Sequence, residues 1–163
     1  MSPTAHRYCI DANCWLKMRA YYIETFASFW ENLEQLVSEG RLFVPEQVIV
    51  ETKSKIDPDD PVHKWLVNHP EIVVDLDSPQ ANLVRPILNH NEKWRRDAET
   101  TEKPNGDPYV IALAQAQDLT VVTEEHVATY NGGANNAIPA VCQKLQIRYL
   151  CLKDFFVQEG WRF

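Results

Sequence analysis

The stretch GDPYVIALAQAQDLTVVTEE, residues 106–125, contains the pattern of a helix, a strand and two acids in close succession. Asp107 followed by Pro108 is typical of a helix start, and we predict Asp107 at the N-cap and Pro108 at the first helical position. The β-branched run Leu119–Thr123 then predicts a buried strand. Because two glutamates follow this strand directly, the stretch predicts a helix–strand unit with carboxylates at the strand's carboxyl end.

The same alternation of strand and helix continues on both sides of this unit. Tyr8–Asp11 and Arg41–Val44 are short apolar runs typical of buried strands, and Thr25–Ser38 carries its apolar residues on one helical face. Further strands are predicted at Ile72–Leu76 and Ile147–Leu152, and further helices from Pro45 and over His63–His69, Gln80–Ala98 and Ile138–Leu145. Such alternation favours a parallel sheet covered on both faces, so the predicted fold class is α/β.

Length and composition limit the remaining possibilities. A chain of 163 residues is expected to form one domain, which we place at 1–163. It contains no apolar run of about 20 residues, so no membrane span is predicted. The four cysteines form no CxxC pair, which favours reduced thiols and a cytoplasmic location. The formal charge of −7 argues against a protein that coats phosphate backbones, so a nucleic-acid role requires a local basic patch or bound cations.

Several acids are predicted at one edge of the sheet. Asp11 ends the first strand, Glu124 and Glu125 follow the strand Leu119–Thr123, and Asp107 begins a helix that starts at the same edge. Glu51 lies about two turns into its helix and can also reach this edge. Clustered carboxylates repel one another unless they take protons or bind a cation, and oxygen ligands favour Mg²⁺ or Mn²⁺.

Four segments of the chain, in this order, resemble the PIN-domain nucleases, and together they span almost its whole length. They are YCIDANCWL (8–16), VPEQVIVETK (44–53), GDPYVIALAQAQDLTVVTEE (106–125) and IPAVCQKLQIRYL (138–150). FASFW (26–30) and IPAVC (138–142) also resemble a PIN-like subfamily of bacterial chains whose function is mostly inferred. The resemblance implies a three-layer α/β/α sandwich around a parallel sheet.

The resemblance also implies an activity and its partners. PIN-domain nucleases cleave RNA phosphodiester bonds with Mg²⁺ or Mn²⁺, one or two ions at a site. Many small stand-alone members are toxins of the VapC type, which a protein antitoxin inhibits, and many form homodimers. The leading hypothesis is therefore a metal-dependent endoribonuclease that serves as the toxin of a type II toxin–antitoxin pair, with RNA as substrate.

The resemblance implies site residues by position. Asp11, Glu51 and Asp107 correspond to three catalytic, metal-binding acids, and Glu125 corresponds to the fourth. Glu125 is preferred to its neighbour on spacing from the preceding strand, although the wider family more often has Asp there. Supporting residues are Asn13, Thr123 and Glu124. The loop Asn131–Ala137 is longer than the toxin pattern leads us to expect, which makes it a candidate gate.

Basic residues near these acids are candidate RNA contacts. Lys53 and Lys55 come just after Glu51, and Lys93, Arg95 and Arg96 lie around a tryptophan in the run KWRR. The alternative interpretation is that both runs are solvated helix faces. Likewise, the acids themselves have structural explanations, because Asp107 can serve only as a helix cap and Glu51 only as a solvated helix residue.

Three other functions compete with the nuclease. A PIN-fold module that binds RNA or a protein without cleaving is one, and a broken acidic set would favour it. A Mg²⁺-dependent phosphatase of the haloacid-dehalogenase type also begins with a strand-ending Asp, but it needs a second Asp where this chain has Asn13. A phosphoacceptor receiver domain normally has a pair of acids after its first strand, and this chain has one.

Overall fold

A computed structural model describes residues 5–100, 105–126 and 136–163. Within these residues five strands form one sheet in which all neighbouring strands are parallel. The strands are β1 (Tyr8–Ile10), β2 (Leu42–Pro45), β3 (Val73–Val74), β4 (Thr120–Val122) and β5 (Tyr149–Leu150), and their order in the sheet is β3-β2-β1-β4-β5. The predicted α/β fold class is confirmed.

Helices connect consecutive strands. They are α1 (Ala12–Lys17), α2 (Ala27–Ser38), α3 (Glu46–Lys55), α4 (Pro61–Val67), α5 (Ser78–Asn89), α6 (Glu92–Thr100), α7 (Asp107–Gln117), α8 (Ile138–Leu145) and α9 (Leu152–Glu159). The chain moves outward from β1 to β3 and then returns across the sheet to β4 and β5. Because parallel crossovers are right-handed, this reversal places α1–α4 on one face and α5–α8 on the other.

The central strand β1 shows why both faces are covered. All three of its residues are fully buried, as expected for a short apolar run inside a parallel sheet. The ring of Tyr8 packs edge-on against Phe155 of α9 at 4.7 Å, whereas the next side chain, Cys9, has its Sγ 3.9 Å from the Val110 carbonyl of α7. Successive side chains of a strand point to opposite faces, so β1 lies between two helical layers.

One predicted helix is wrong. Gln80–Ala98 was expected to be continuous, but the chain forms α5 and α6 with a break at His90 and Asn91. Asn91 is fully buried at the break, where its Oδ1 accepts a hydrogen bond from Trp94 N at 3.0 Å and its Nδ2 donates to the Asn136 carbonyl at 2.8 Å. Asn91 therefore caps a new helix instead of continuing the old one.

The cysteines agree with the sequence prediction. All four are free thiols, and Cys9, Cys14 and Cys142 are buried. Within the described residues, none of the helices is long and apolar enough to cross a membrane.

Candidate metal centre

Three carboxylates from distant parts of the chain converge at the carboxyl edge of the sheet. Asp11 follows β1, Asp107 begins α7 and Glu125 follows β4. One carboxylate oxygen from each of the three lies within 4.8 Å of the other two, and no other described residues form such a group of acids, histidines or cysteines. We call these three residues the carboxylate centre.

Asp11 is the most deeply buried member of the carboxylate centre. Its Oδ1 accepts a hydrogen bond from Ala12 N at 2.7 Å, and its Oδ2 accepts one from Thr123 Oγ1 at 3.1 Å. Burial raises the pKa of Asp11 to about 7, and the negative charges of Glu125 and Glu51 contribute to this rise. The two hydrogen bonds stabilise the ionised carboxylate and offset part of the shift.

Asp107 does not have the local role that the sequence predicted. Gly106 is the N-cap of α7 and Asp107 is its first residue, so the side chain of Asp107 is not the cap of the helix. The N–H of Asp107 donates to Asn105 Oδ1 at 3.0 Å, and a carboxylate oxygen of Asp107 lies in the centre. Burial raises the pKa of Asp107 well above its usual range, and the charge of Asp11 adds to that effect.

Glu125 is held by the start of α8. Its Oε2 accepts a hydrogen bond from Ile138 N at 2.8 Å, and its own N–H donates to Thr123 Oγ1 at 3.2 Å. Burial raises the pKa of Glu125, while the bonds from Ile138 N–H and the Asp107 side chain oppose the rise. Thr123 therefore connects two members of the centre, since its hydroxyl donates to Asp11 and accepts from Glu125.

Glu51 lies beside the carboxylate centre but outside its tightest group. It projects from α3, where its Oε2 accepts a hydrogen bond from Gly106 N at 2.8 Å and its Oε1 forms an ion pair with Lys55 Nζ at 2.9 Å. A Cβ at position 106 would lie 2.6 Å from Val48 Cγ2 and 3.0 Å from Glu51 Oε2, so this approach requires glycine. Because Gly106 adjoins Asp107, this bond places Glu51 next to the centre, and the Glu51 charge contributes to the raised pKa values of Asp11, Asp107 and Glu125.

The structure separates the two adjacent glutamates. Glu124 does not join the centre, because one of its carboxylate oxygens pairs with Lys17 Nζ at 2.5 Å and the other accepts from Leu152 N at 2.7 Å. Partial burial raises the pKa of Glu124, but these two bonds outweigh it and the net shift is downward. Asn13 is exposed on α1, and no described contact ties it to the carboxylates.

The candidate RNA contacts differ in their surroundings. Lys55 is paired with Glu51, and Lys93 is paired with Asp97 at 2.6 Å while its charge lowers the pKa of Asp107. Lys53 is half-buried on α3, whereas Arg95 and Arg96 are exposed on α6. Contact of these five residues with RNA stays a prediction. Most of the candidate gate, residues 131–135 of the loop, lies outside the described residues.

The donor set fits a hard divalent cation. Ionising three carboxylates so close together, with Asp11 buried, is costly without a compensating charge, and the raised pKa values of Asp11, Asp107 and Glu125 agree with that cost. Oxygen ligands alone favour Mg²⁺ or Mn²⁺ over metals that prefer nitrogen or sulfur. We conclude that the centre is suited to bind one or more such ions.

Comparison with known proteins gives a family but no activity. The sequence profile of a family described as "Domain of unknown function (DUF4411)" matches residues 8–163. No curated protein matches the chain. A solved structure of VapBC-1 from nontypeable Haemophilus influenzae is similar to 88% of this chain and 96% of its own, with 12% identity and a TM-score of 0.41. Similarity at that level supports no statement about activity.

The raised pKa values predict how stability depends on pH without metal. Unfolded carboxyls titrate near pH ~4, whereas Asp11 in the folded chain titrates at about 7. Between these values the folded chain binds more protons than the unfolded chain, so the free energy of unfolding falls as pH rises. We expect Tm in EDTA to fall from pH 4.5 to pH 7.5, and Asp11→Asn to reduce that slope.

Asp118→Asn is a matched control for this pH experiment. Asp118 is exposed, pairs with Arg148 and has a φ of 53°, a conformation that asparagine tolerates. Asp118→Asn should leave the slope of Tm against pH unchanged. Parallel Tm profiles for the wild type and Asp11→Asn would contradict the assignment of the titration to the carboxylate centre.

Cation binding is predicted to stabilise the fold through the same residues. A free cation at about 100 times its Kd stabilises by about 2.7 kcal/mol, which for a chain of this size is a Tm increase of roughly 5–10 °C. We expect Mn²⁺ to produce this increase in the wild type and in Glu124→Gln, but not in Glu125→Gln. Equal increases in the two glutamine variants would show that the cation binds elsewhere.

Proposed function

The chain belongs to the DUF4411 family, and we propose that it is a divalent-metal-dependent nuclease that hydrolyses RNA phosphodiester bonds. One observation carries the proposal, namely the approach of Asp11, Asp107 and Glu125 oxygens to within 4.8 Å at the carboxyl edge of a parallel sheet. Functional sites of open α/β sheets lie at this edge. The resemblance of four sequence segments to the PIN-domain nucleases supports RNA as the substrate class.

The three members of the carboxylate centre would hold Mg²⁺ or Mn²⁺, with Glu51 as a fourth carboxylate beside them. The chemistry that a bound ion supplies is activation of water and stabilisation of negative charge on a phosphate oxygen. The chain's own contribution is to orient its carboxylates. Ala12 N–H and Thr123 hydroxyl hold Asp11, Ile138 N–H holds Glu125, and Gly106 N–H holds Glu51.

Hydrolysis of an RNA phosphodiester would use the carboxylates of this edge together with the cation that they would hold. Water would attack phosphorus in line with the leaving oxygen, giving up one proton to a carboxylate of the centre, while the leaving oxygen would take a proton from solvent. The carboxylates would position the phosphate through the cation that they hold. No covalent intermediate with the chain is required.

The alternatives are less consistent with the site. A phosphatase of the haloacid-dehalogenase type needs an Asp two places after Asp11, whereas position 13 is an exposed asparagine. A module that only binds RNA or protein would not need its acids to share a buried centre, and burying them is energetically costly. The approach of Asp11, Asp107 and Glu125 to one another, with Glu51 beside them, supports catalysis over binding alone.

Cleavage should depend on the carboxylate centre. We expect the purified protein to cut a labelled mixed-sequence RNA with Mg²⁺ or Mn²⁺ and not with EDTA, and Asp11→Asn to lower the rate on the order of 100-fold or more, because it removes a ligand charge. Glu124→Gln is the matched control and should retain activity. Cleavage by Asp11→Asn at the wild-type rate in a clean preparation would contradict the site. No cleavage by folded wild type that also fails to bind Mn²⁺ would favour the binding module, whereas no cleavage with Mn²⁺ bound would indicate a very selective substrate.

The toxin role, its antitoxin and a homodimer rest on the sequence resemblance. If the chain is a toxin, induction of the wild type in a bacterial host should arrest growth and induction of Asp11→Asn should not. Co-expression with a protein encoded beside the chain should relieve the arrest if that protein is the antitoxin. Equal growth of both strains at equal protein levels would contradict the toxin role and leave the nuclease proposal in place.

A further inference from the structure

A nuclease with a formal charge of −7 needs a cationic surface, in addition to any cation at its acidic edge, to hold a polyanion. We infer that a cleft beside α9 binds a single-stranded segment of the substrate nucleic acid; this inference rests on the proposed function. The cleft has a volume of about 430 Å³ and lies between the end of α1, the end of β4 and the segment after α9. Its lining includes Lys17, Lys153, Phe156, Trp161, Arg162 and Phe163. We call it the C-terminal cleft.

The charge of the C-terminal cleft is opposite to that of the whole chain. Its lining carries three cationic side chains, Lys17, Lys153 and Arg162, and one carboxylate side chain, Glu124, which Lys17 neutralises. Lys153 and Arg162 are exposed, and neither forms an ion pair with another described residue. Two free cations in an acidic protein are complementary to a phosphate backbone.

A second cavity of similar size has the opposite character. It has a volume of about 420 Å³ between α3, α5, α6 and α7, and its lining includes the carboxylates Glu46 and Asp97 but no lysine or arginine among the described residues. Lys93 pairs with Asp97, but the lining of this cavity offers no cation to attract a phosphate backbone. Charge therefore distinguishes the two cavities and selects the C-terminal cleft for a polyanion.

Aromatic rings provide the second property that a single strand requires. The ring of Trp161 stacks on Phe156 with centroids 5.7 Å apart and planes at 22°, and Phe163 lies 6.3 Å from Trp161. Phe29 of α2 contacts both Trp161 and Phe163 from the core side, so the rings are supported from behind. Phe163 is 53% exposed, which leaves ring surface for an unpaired base to stack on.

The C-terminal cleft continues towards the carboxylate centre. A neighbouring cavity of about 260 Å³ shares His126 and Cys151 with the cleft, and its lining also includes Thr123 and two carboxylates, Glu125 and Asp154. A cation held by the carboxylate centre would offset this negative charge. A strand whose bases stack on Trp161 and Phe163 can therefore extend along one surface to Glu125. Because paired bases cannot stack on protein rings, this geometry favours single-stranded RNA over duplex.

The first experiment measures binding apart from cleavage. Fluorescence anisotropy of a labelled RNA of about 12 nucleotides is followed on protein that carries Asp11→Asn, which prevents hydrolysis. Adding both Lys153→Glu and Arg162→Glu to this protein should weaken its binding of the RNA at least 10-fold. Because each lost phosphate contact changes the slope of log K against log salt by about 0.7 for single strands, the slope should become shallower by about 1.4.

Lys64→Glu with Arg85→Glu is the matched control for this pair. Like the cleft pair, it replaces one lysine and one arginine with glutamate, so both pairs change the net charge by the same amount. Lys64 and Arg85 are exposed residues of α4 and α5 and lie outside the cleft. We expect less than a 3-fold effect. A loss equal to that of the cleft pair would overturn the inference, as would a larger loss for Arg95→Glu with Arg96→Glu on α6.

Stacking is tested separately at the exposed ring. Phe163→Ala should weaken RNA binding about 5-fold without changing its salt dependence, and Phe163→Trp should restore it, since base stacking tolerates either ring. A Phe163→Ala variant that binds as tightly as its parent would overturn the stacking role. Competition by duplex RNA as effective as that by single-stranded RNA would overturn the single-strand assignment.

Failure of this inference can be told apart from failure of the proposed function. If the wild type cleaves RNA and the Lys153→Glu, Arg162→Glu pair binds and cleaves like the control pair, the cleft is excluded and the nuclease stands. If the cleft pair alone loses binding and the wild type never cleaves, the cleft stands and the nuclease fails. If the pair instead changes the oligomeric state in size-exclusion chromatography without altering RNA affinity, the cleft is an interface between copies and the inference is overturned.

Discussion

Repulsion among three crowded carboxylates is the main physical constraint on the carboxyl edge of this sheet. Asp11, Asp107 and Glu125 would move apart in an unfolded chain, yet the fold holds their oxygens within 4.8 Å of one another. Directed hydrogen bonds from Ala12 N–H, the Thr123 hydroxyl and Ile138 N–H offset part of the cost. Burial and the repulsion that these hydrogen bonds do not offset raise the pKa values of the three carboxylates. A divalent cation would neutralise this remaining negative charge.

The sheet topology makes this arrangement possible. β1 pairs with β4, so Asp11 and Thr123 become neighbours across strands that are far apart in sequence. The Gly106 backbone approaches Glu51 so closely that a side chain at position 106 would collide with Val48. Core packing around β1 thus determines positions at the edge, and small backbone shifts there would change the distances between carboxylates.

Charge is distributed unevenly around this edge. Carboxylates occupy its centre, while Lys153 and Arg162 lie unpaired among the described residues in the C-terminal cleft, next to the exposed ring of Phe163. Glu124 stands between the two regions, with Lys17 on one carboxylate oxygen and Leu152 N–H on the other. An acidic protein can in this way have one surface that attracts cations and another that attracts phosphates. The net charge of the chain does not give the local charge of either surface.

The sequence by itself determined the order of strands and helices along the chain, since periodicity and turn residues are local; Ile138–Leu145 is a helix with the predicted bounds. It also placed the acids at the ends of elements. Only the tertiary structure decided that Glu125 and not Glu124 reaches the centre, that Gly106 and not Asp107 caps α7, and that Asn91 divides a predicted helix. Each of these outcomes depends on a partner distant in sequence or on the path of the backbone, such as Leu152 N–H for Glu124 and the Asn136 carbonyl for Asn91. The C-terminal cleft has the same origin, because its residues meet only when α9 packs against α2 and the end of β4, which no local pattern encodes.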